Sequence, residues 1–234
     1  MTSGLGSQWP LLISLFASIS SAGQDSVPKL LIEAAASMSA AANQIRLVDE
    51  RRLTSVMTLT GLDDPGEAIM ILLIPEESAI AKETSSWIAG YVDQGTNVVV
   101  LFPQRIGSYP WNSLEKTLYH EISHVLTNRA AGNMPVPRWF NEGLASAAES
   151  SWGHEARTRS AWEMLINEKL TATELEGLFA QGHREITRAY ALADALVRDL
   201  LIIYGPLTPA KILGRMTEGQ TFDQAIYDTT GDSV

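Results

Sequence analysis

Apolar residues between positions 24 and 64 recur first at helical spacing, through Leu31, Ala34, Ala35, Met38, Ala42 and Ile45, and this predicts a helix. Residues 55–60 are shorter and richer in β-formers, which predicts a strand. After the turn cluster Asp63-Asp64-Pro65-Gly66, the continuous apolar run 68–74 ends at Pro75 and reads as a buried strand, with a helix over 76–85. Two β-rich runs, 88–92 and 97–102, are separated by Asp93-Gln94-Gly95-Thr96, the length and composition of a hairpin loop. Asn112-Ser113 followed by Glu115 then caps a helix whose apolar stripe is Leu114, Leu118, Ile122, Val125 and Leu126, stopped by Gly132. Downstream the pattern is almost wholly helical, over 138–150, 155–169, 173–180, 185–204, 209–217 and 222–229.

Strands therefore come early and helices late. That segregation predicts an α+β fold, a small N-terminal sheet beside a mostly helical C-terminal lobe, and argues against a doubly wound sheet. A single domain is expected over 23–234, its sheet-containing lobe over about 23–132 and its helical lobe over about 133–234. Residues 11–22 are apolar and close on small residues, with Ser20 and Ala22 placed before a possible cleavage site. They read as the core of a signal peptide spanning 1–22, so export to a periplasmic or extracellular space is expected, against a cytoplasmic location if the segment is instead an amphipathic starting helix, or an uncleaved anchor. The stretch is short for a bilayer span, and no stable membrane span is expected elsewhere.

Composition narrows the chemistry. A chain of 234 residues, 45% hydrophobic and 19% charged, is that of an ordinary globular protein. A formal net charge of −10, with no basic run to offset it, opposes binding to nucleic acid. The chain has no cysteine, so any bound metal has to rely on imidazole and carboxylate ligands.

His120-Glu121-Ile122-Ser123-His124 supplies two such ligands. Imidazoles at i and i+4 are neighbours on one helical face and can share an ion, while Glu121 projects beside them. A catalytic zinc site commonly adds a carboxylate and leaves its fourth position to water. Glu142 is the candidate third ligand: it opens the next predicted helix in Arg138-Trp139-Phe140-Asn141-Glu142-Gly143-Leu144-Ala145, and Gly132 and two prolines between the helices can reverse the chain. One zinc per chain is expected, although such ligands accept several divalent ions.

The pair of segments, His120 to His124 and Trp139-Phe-Asn-Glu-Gly-Leu-Ala145, resembles the gluzincin metallopeptidases of the Peptidase MA-like group. The resemblance extends from about Ile69 to the Thr221-Phe222-Asp223 segment and implies a thermolysin-like catalytic domain. It implies zinc-dependent hydrolysis of a polypeptide substrate, with water activated at the metal and Glu121 as general base and then acid. It also implies that the strand before the motif helix, Ala89, Gly90, Tyr91 and Val92, is an edge along which substrate adds. The aminopeptidase relatives differ in a gap one residue longer and in a Gly-x-Met-Glu-Asn segment that this chain lacks, which points to endopeptidase rather than exopeptidase action.

An oxyanion donor is expected at Tyr190, the tyrosine of an Ala-Tyr-Ala helix resembling the family's, with His183 as the alternative. Glu149 matches an acidic position after the family's Glu-Gly-x-Ala and is expected to orient a ligand histidine. Asn141 is expected to support the site from behind by capping or packing, His154 to lie in a loop at a helix start, and Trp111, Trp139 and Trp152 to pack at helix boundaries. Two alternatives stand beside hydrolysis of peptides: a silent module of the same fold that binds a peptide or partner, and a zinc hydrolase of non-peptide amides or esters.

Overall fold

A computed structural model describes residues 27–93, 96, 98–107, 113–150, 171–181 and 183–232. The leader expected over 1–22, the helix expected over 155–169, and Trp111, Trp152 and His154 lie outside these residues. Among those described, a four-stranded sheet accompanies a mostly helical chain.

The sheet contains β1 (Leu30–Ala34), β2 (Ile69–Leu73), β3 (Gly90–Asp93) and β4 (Val98–Leu101), in the order β1-β2-β4-β3. β1, β2 and β4 run parallel, with Leu30 opposite Ile69 and Ile71 opposite Val99. β3 is one of the two outer strands, β1 being the other, and runs antiparallel to β4, with Gly90 opposite Leu101, as the hairpin spacing predicts. On one face Ile69, Ile71, Leu73, Val99 and Leu101 enter a core with α4 (Leu114–Ala130). On the other, Val100 and Phe102 pack against Ala81 of the short helix α3 (Ala79–Glu83).

Two local expectations are corrected. The helix expected from Leu31 starts later: its first residues form β1, Ala36–Met38 is a 3-10 turn, and only Ser39–Arg46 is α-helical, as α1. The spacing of Leu31, Ala34 and Ala35 fits either state, and the deciding hydrogen bonds come from β2, far along the chain. The strand expected over 55–60 is instead α2 (Thr54–Thr60). Its β-branched residues are overridden because Leu53, Val56, Met57 and Thr60 form one buried helical face. Their hydroxyls stay in the helix, Thr58 and Thr60 donating back to the carbonyls of Thr54 and Val56.

α4 begins where Ser113 accepts a hydrogen bond from the Lys116 amide at 3.1 Å. Beyond it lie α5 (Arg138–Ser150), α6 (Ala172–Leu178), α7 (His183–Tyr204), α8 (Thr208–Thr217) and α9 (Phe222–Thr230). Their apolar faces form a second core around Trp139, Phe140, Leu192, Val197, Ile212 and Phe222. Phe140 and Phe222 meet edge to face with centroids 5.0 Å apart, and Trp139 is buried against both, in the packing role expected of it. α4 belongs chiefly to the first core and α5 chiefly to the second, so the segments that carry the candidate metal ligands face each other across the seam. Among the described residues no helix is long and apolar enough to cross a membrane.

Candidate metal centre

Ionisable side chains are seldom fully buried unless they are paired or hold a metal. Here three lie together with little exposure: His120 at 2%, Glu121 at 5% and Glu142 at 6%. The helical repeat puts His120 and His124 on one face of α4, their ring centroids 4.6 Å apart.

Glu142 arrives from α5 because the chain reverses after α4. Gly132 and Asn133 take left-handed backbone, with φ of 62° and 60°, and the Asn133 amide bonds back to the Asn128 carbonyl at 2.8 Å. α5 is then pressed onto α7 through Gly143. A Cβ there would lie 2.4 Å from both the Ala193 carbonyl oxygen and Val197 Cγ2, a separation only glycine avoids.

His120 Nε2 lies 3.1 Å from His124 Nε2 and 3.1 Å from Glu142 Oε2, and His124 Nε2 lies 3.4 Å from the same oxygen. Ligands bound tetrahedrally at about 2.0–2.1 Å stand about 3.3–3.4 Å apart, so this triangle fits one zinc-sized ion. The donor chemistry fits as well. The amide oxygen of Asn141 accepts from His124 Nδ1 at 2.9 Å, which fixes the ring with its Nε2 turned to the triangle. Burial works to raise the Glu142 pKa, but the imidazoles of His124 and His120 outweigh it and hold the carboxyl well below its ordinary range. Glu142 is thus ionised, as a ligand has to be.

Glu121 stands apart from the three ligand atoms and lies under an outer strand. A Cβ on Gly90 would come within 3.1 Å of both Glu121 Cγ and Oε1. Gly90, Tyr91 and Val92 belong to β3. Ala89, expected to share that strand, directly precedes it, and its carbonyl still accepts the Phe102 amide at 2.8 Å. The strand starts one residue late because Ala89 follows the turn at 86–87.

Tyr190, on α7, has its ring centroid 6.5 Å from that of His120. Burial raises the Tyr190 pKa, and the charge of Glu142 raises it further, so the hydroxyl keeps its proton and remains a donor. The backbones of His183 and Glu149 lie in α7 and α5, and their side chains are outside the described residues.

Arg138 went unremarked in the sequence. Its Nε donates to Glu142 Oε1 at 3.3 Å, its guanidinium lies 4.7 Å from the centre of the Phe179 ring, and it interacts with the Tyr190 hydroxyl. The available signal was an arginine four residues before a glutamate on one helix. The bond from Asn141 to His124 was likewise hidden, because it crosses between helices.

The family model described as the Peptidase MA superfamily matches residues 78–233, a span that includes β3, α4, α5 and α7. No curated protein and no solved structure gives a match.

Proposed function

Because the chain belongs to the Peptidase MA superfamily, we propose that it is a zinc-dependent endopeptidase, with His120, His124 and Glu142 holding one ion. Membership by itself suggests a peptidase. The observation that carries the finer reading is the convergence of three ligand atoms, from buried His120 and Glu142 and part-buried His124, beside a fourth ionisable residue, Glu121, that lies against an outer strand. A zinc ion held there would supply Lewis acidity, acidifying a water and polarising a carbonyl.

The rest falls to the protein. An extended peptide adds along β3, its backbone pairing with the outer edge of the strand. Glu121 takes a proton from the attacking water as the new carbon–oxygen bond forms. It returns that proton to the amine nitrogen as the carbon–nitrogen bond breaks. Tyr190 donates its hydroxyl hydrogen bond to the oxyanion of the tetrahedral intermediate, a contribution whose loss costs on the order of a hundredfold in rate. A buried, intact Glu121 favours this reading over a silent binding module of the same fold.

The test is metal content by elemental analysis of the purified chain and of Glu121→Gln, together with cleavage of an unstructured protein substrate. Equimolar zinc in both and cleavage only in the parent is the expected outcome. Zinc in both with cleavage in neither supports the binding module, and cleavage of small amides or esters alone supports a non-peptide hydrolase. A chain without stoichiometric metal sinks the ligand assignment.

A further inference from the structure

The two oxygens of Glu142 face different partners. Oε2 lies within 3.1 Å of His120 Nε2 and 3.4 Å of His124 Nε2, while Oε1 accepts from Arg138 Nε at 3.3 Å. We infer that Arg138 is a positioning residue that occupies Oε1 so that Glu142 meets the metal through Oε2 alone. The inference rests on the metal reading proposed above.

Arg138 is itself held. Its guanidinium lies over Phe179, and the adjacent Trp139 amide donates to Glu176 Oε1 at 2.9 Å, so α6 braces both the side chain and the backbone at the start of α5. A carboxylate free to rotate can offer a metal either oxygen or both. One with an oxygen already in a hydrogen bond from a braced donor has lost that choice before the ion arrives. The same guanidinium interacts with the Tyr190 hydroxyl, which ties the ligand and the oxyanion donor to one support.

Two effects of opposite sign meet at this residue. A positive charge beside the ligand set repels an incoming cation, whereas orienting the ligand favours binding. The Arg138 side chain is 45% exposed, so solvent and salt screen its repulsion of the ion, while the hydrogen bond to Oε1 acts at contact with a buried carboxylate and is screened less. Loss of a residue that supports a metal ligand typically weakens affinity or activity by about 10–100-fold. Positioning should therefore win.

The experiment measures zinc affinity by competition with a chromophoric chelator for the parent, Arg138→Ala and Arg138→Gln, with circular dichroism and melting curves to show that each variant is folded. The expected result is about 10–100-fold weaker affinity in Arg138→Ala. Arg138→Gln, a neutral donor, should recover part of the loss. Tighter binding in both variants would show that charge repulsion dominates, and it overturns the inference, as does affinity in Arg138→Ala within threefold of the parent. Absence of zinc binding by the parent overturns the metal reading and the inference together, which separates the two failures.

Discussion

Replacing Gly143 by alanine sets two effects against each other. Inside an exposed helix the change would stabilise by about 1 kcal/mol, because alanine gives up less backbone freedom on folding. At this position the added Cβ would stand 2.4 Å from the Ala193 carbonyl oxygen and from Val197 Cγ2. Ala193 and Val197 are both fully buried, and a carbonyl fixed in a helix cannot swing aside. Restoring ordinary contact needs α5 and α7 to part by about 1 Å, and a gap of that size forfeits a quarter to a half of each dispersion contact along the seam. Overpacking in a well-packed core costs about 1–3 kcal/mol, and the upper end applies where backbone has to move. The net is a loss of about 2 kcal/mol, or a fall of about 4–8 °C in Tm for a chain of this size. Differential scanning calorimetry of Gly143→Ala reads this directly. Gly177→Ala is the control: Gly177 also lies in a helix, but a Cβ there meets nothing within 4 Å, so its Tm should hold or rise. A Gly143→Ala protein that melts at or above the parent temperature refutes the close approach of α5 and α7.

Gly90→Ala should leave zinc content intact yet lower kcat about tenfold on an unstructured protein substrate, since its Cβ would meet Leu101 Cδ2 at 2.8 Å and Glu121 Oε1 at 3.1 Å, shifting strand and carboxylate against each other, and misplacements of about 1 Å are costly in catalysis. Unchanged kcat would mean that Glu121 does not work from that position. Arg105 is 6% exposed and donates to the carbonyls of Ala81 and Ser85 at 2.7 and 2.9 Å, tying down the segment that leads into β3. Arg105→Ala should lower unfolding free energy in urea by about 2 kcal/mol, chiefly through the part-buried Ala81 carbonyl left without its donor, since the Ser85 carbonyl is open to water, and a loss below about 0.5 kcal/mol would show that water replaces the donor at both. Protease nicking at 81–88 should rise in the same variant.

The cluster of His120, His124 and Glu142 was legible because its determinants are local. Ser113, the apolar stripe of α4 and the i, i+4 histidines all act within one helix, and Glu142 needed only a chain reversal marked by Gly132 and the prolines. The hairpin of β3 and β4 was legible for the same reason. What stayed hidden depends on distant partners. β1 is a strand because β2 accepts it, although its own five residues fit a helix equally well. In α2 the buried spacing of Leu53, Val56, Met57 and Thr60 was present, but the β-branched composition spoke louder than the period. Gly90 and Gly143 look like ordinary glycines until a neighbouring element is placed against them.

An outer strand is also a liability. Backbone groups along the side of β3 that no described strand covers can pair with any extended chain, including the same strand of another copy, and that route leads to self-association. β3 is only four residues long and ends on Asp93, which keeps such a pairing short. The formal net charge of −10 adds repulsion between copies. That repulsion is long-ranged only in dilute salt, its reach shrinking from about 30 Å at 0.01 M to about 3 Å at 1 M. Concentrated stocks should therefore stay monodisperse at low ionic strength and associate as salt is added, whereas most charge-paired assemblies do the reverse.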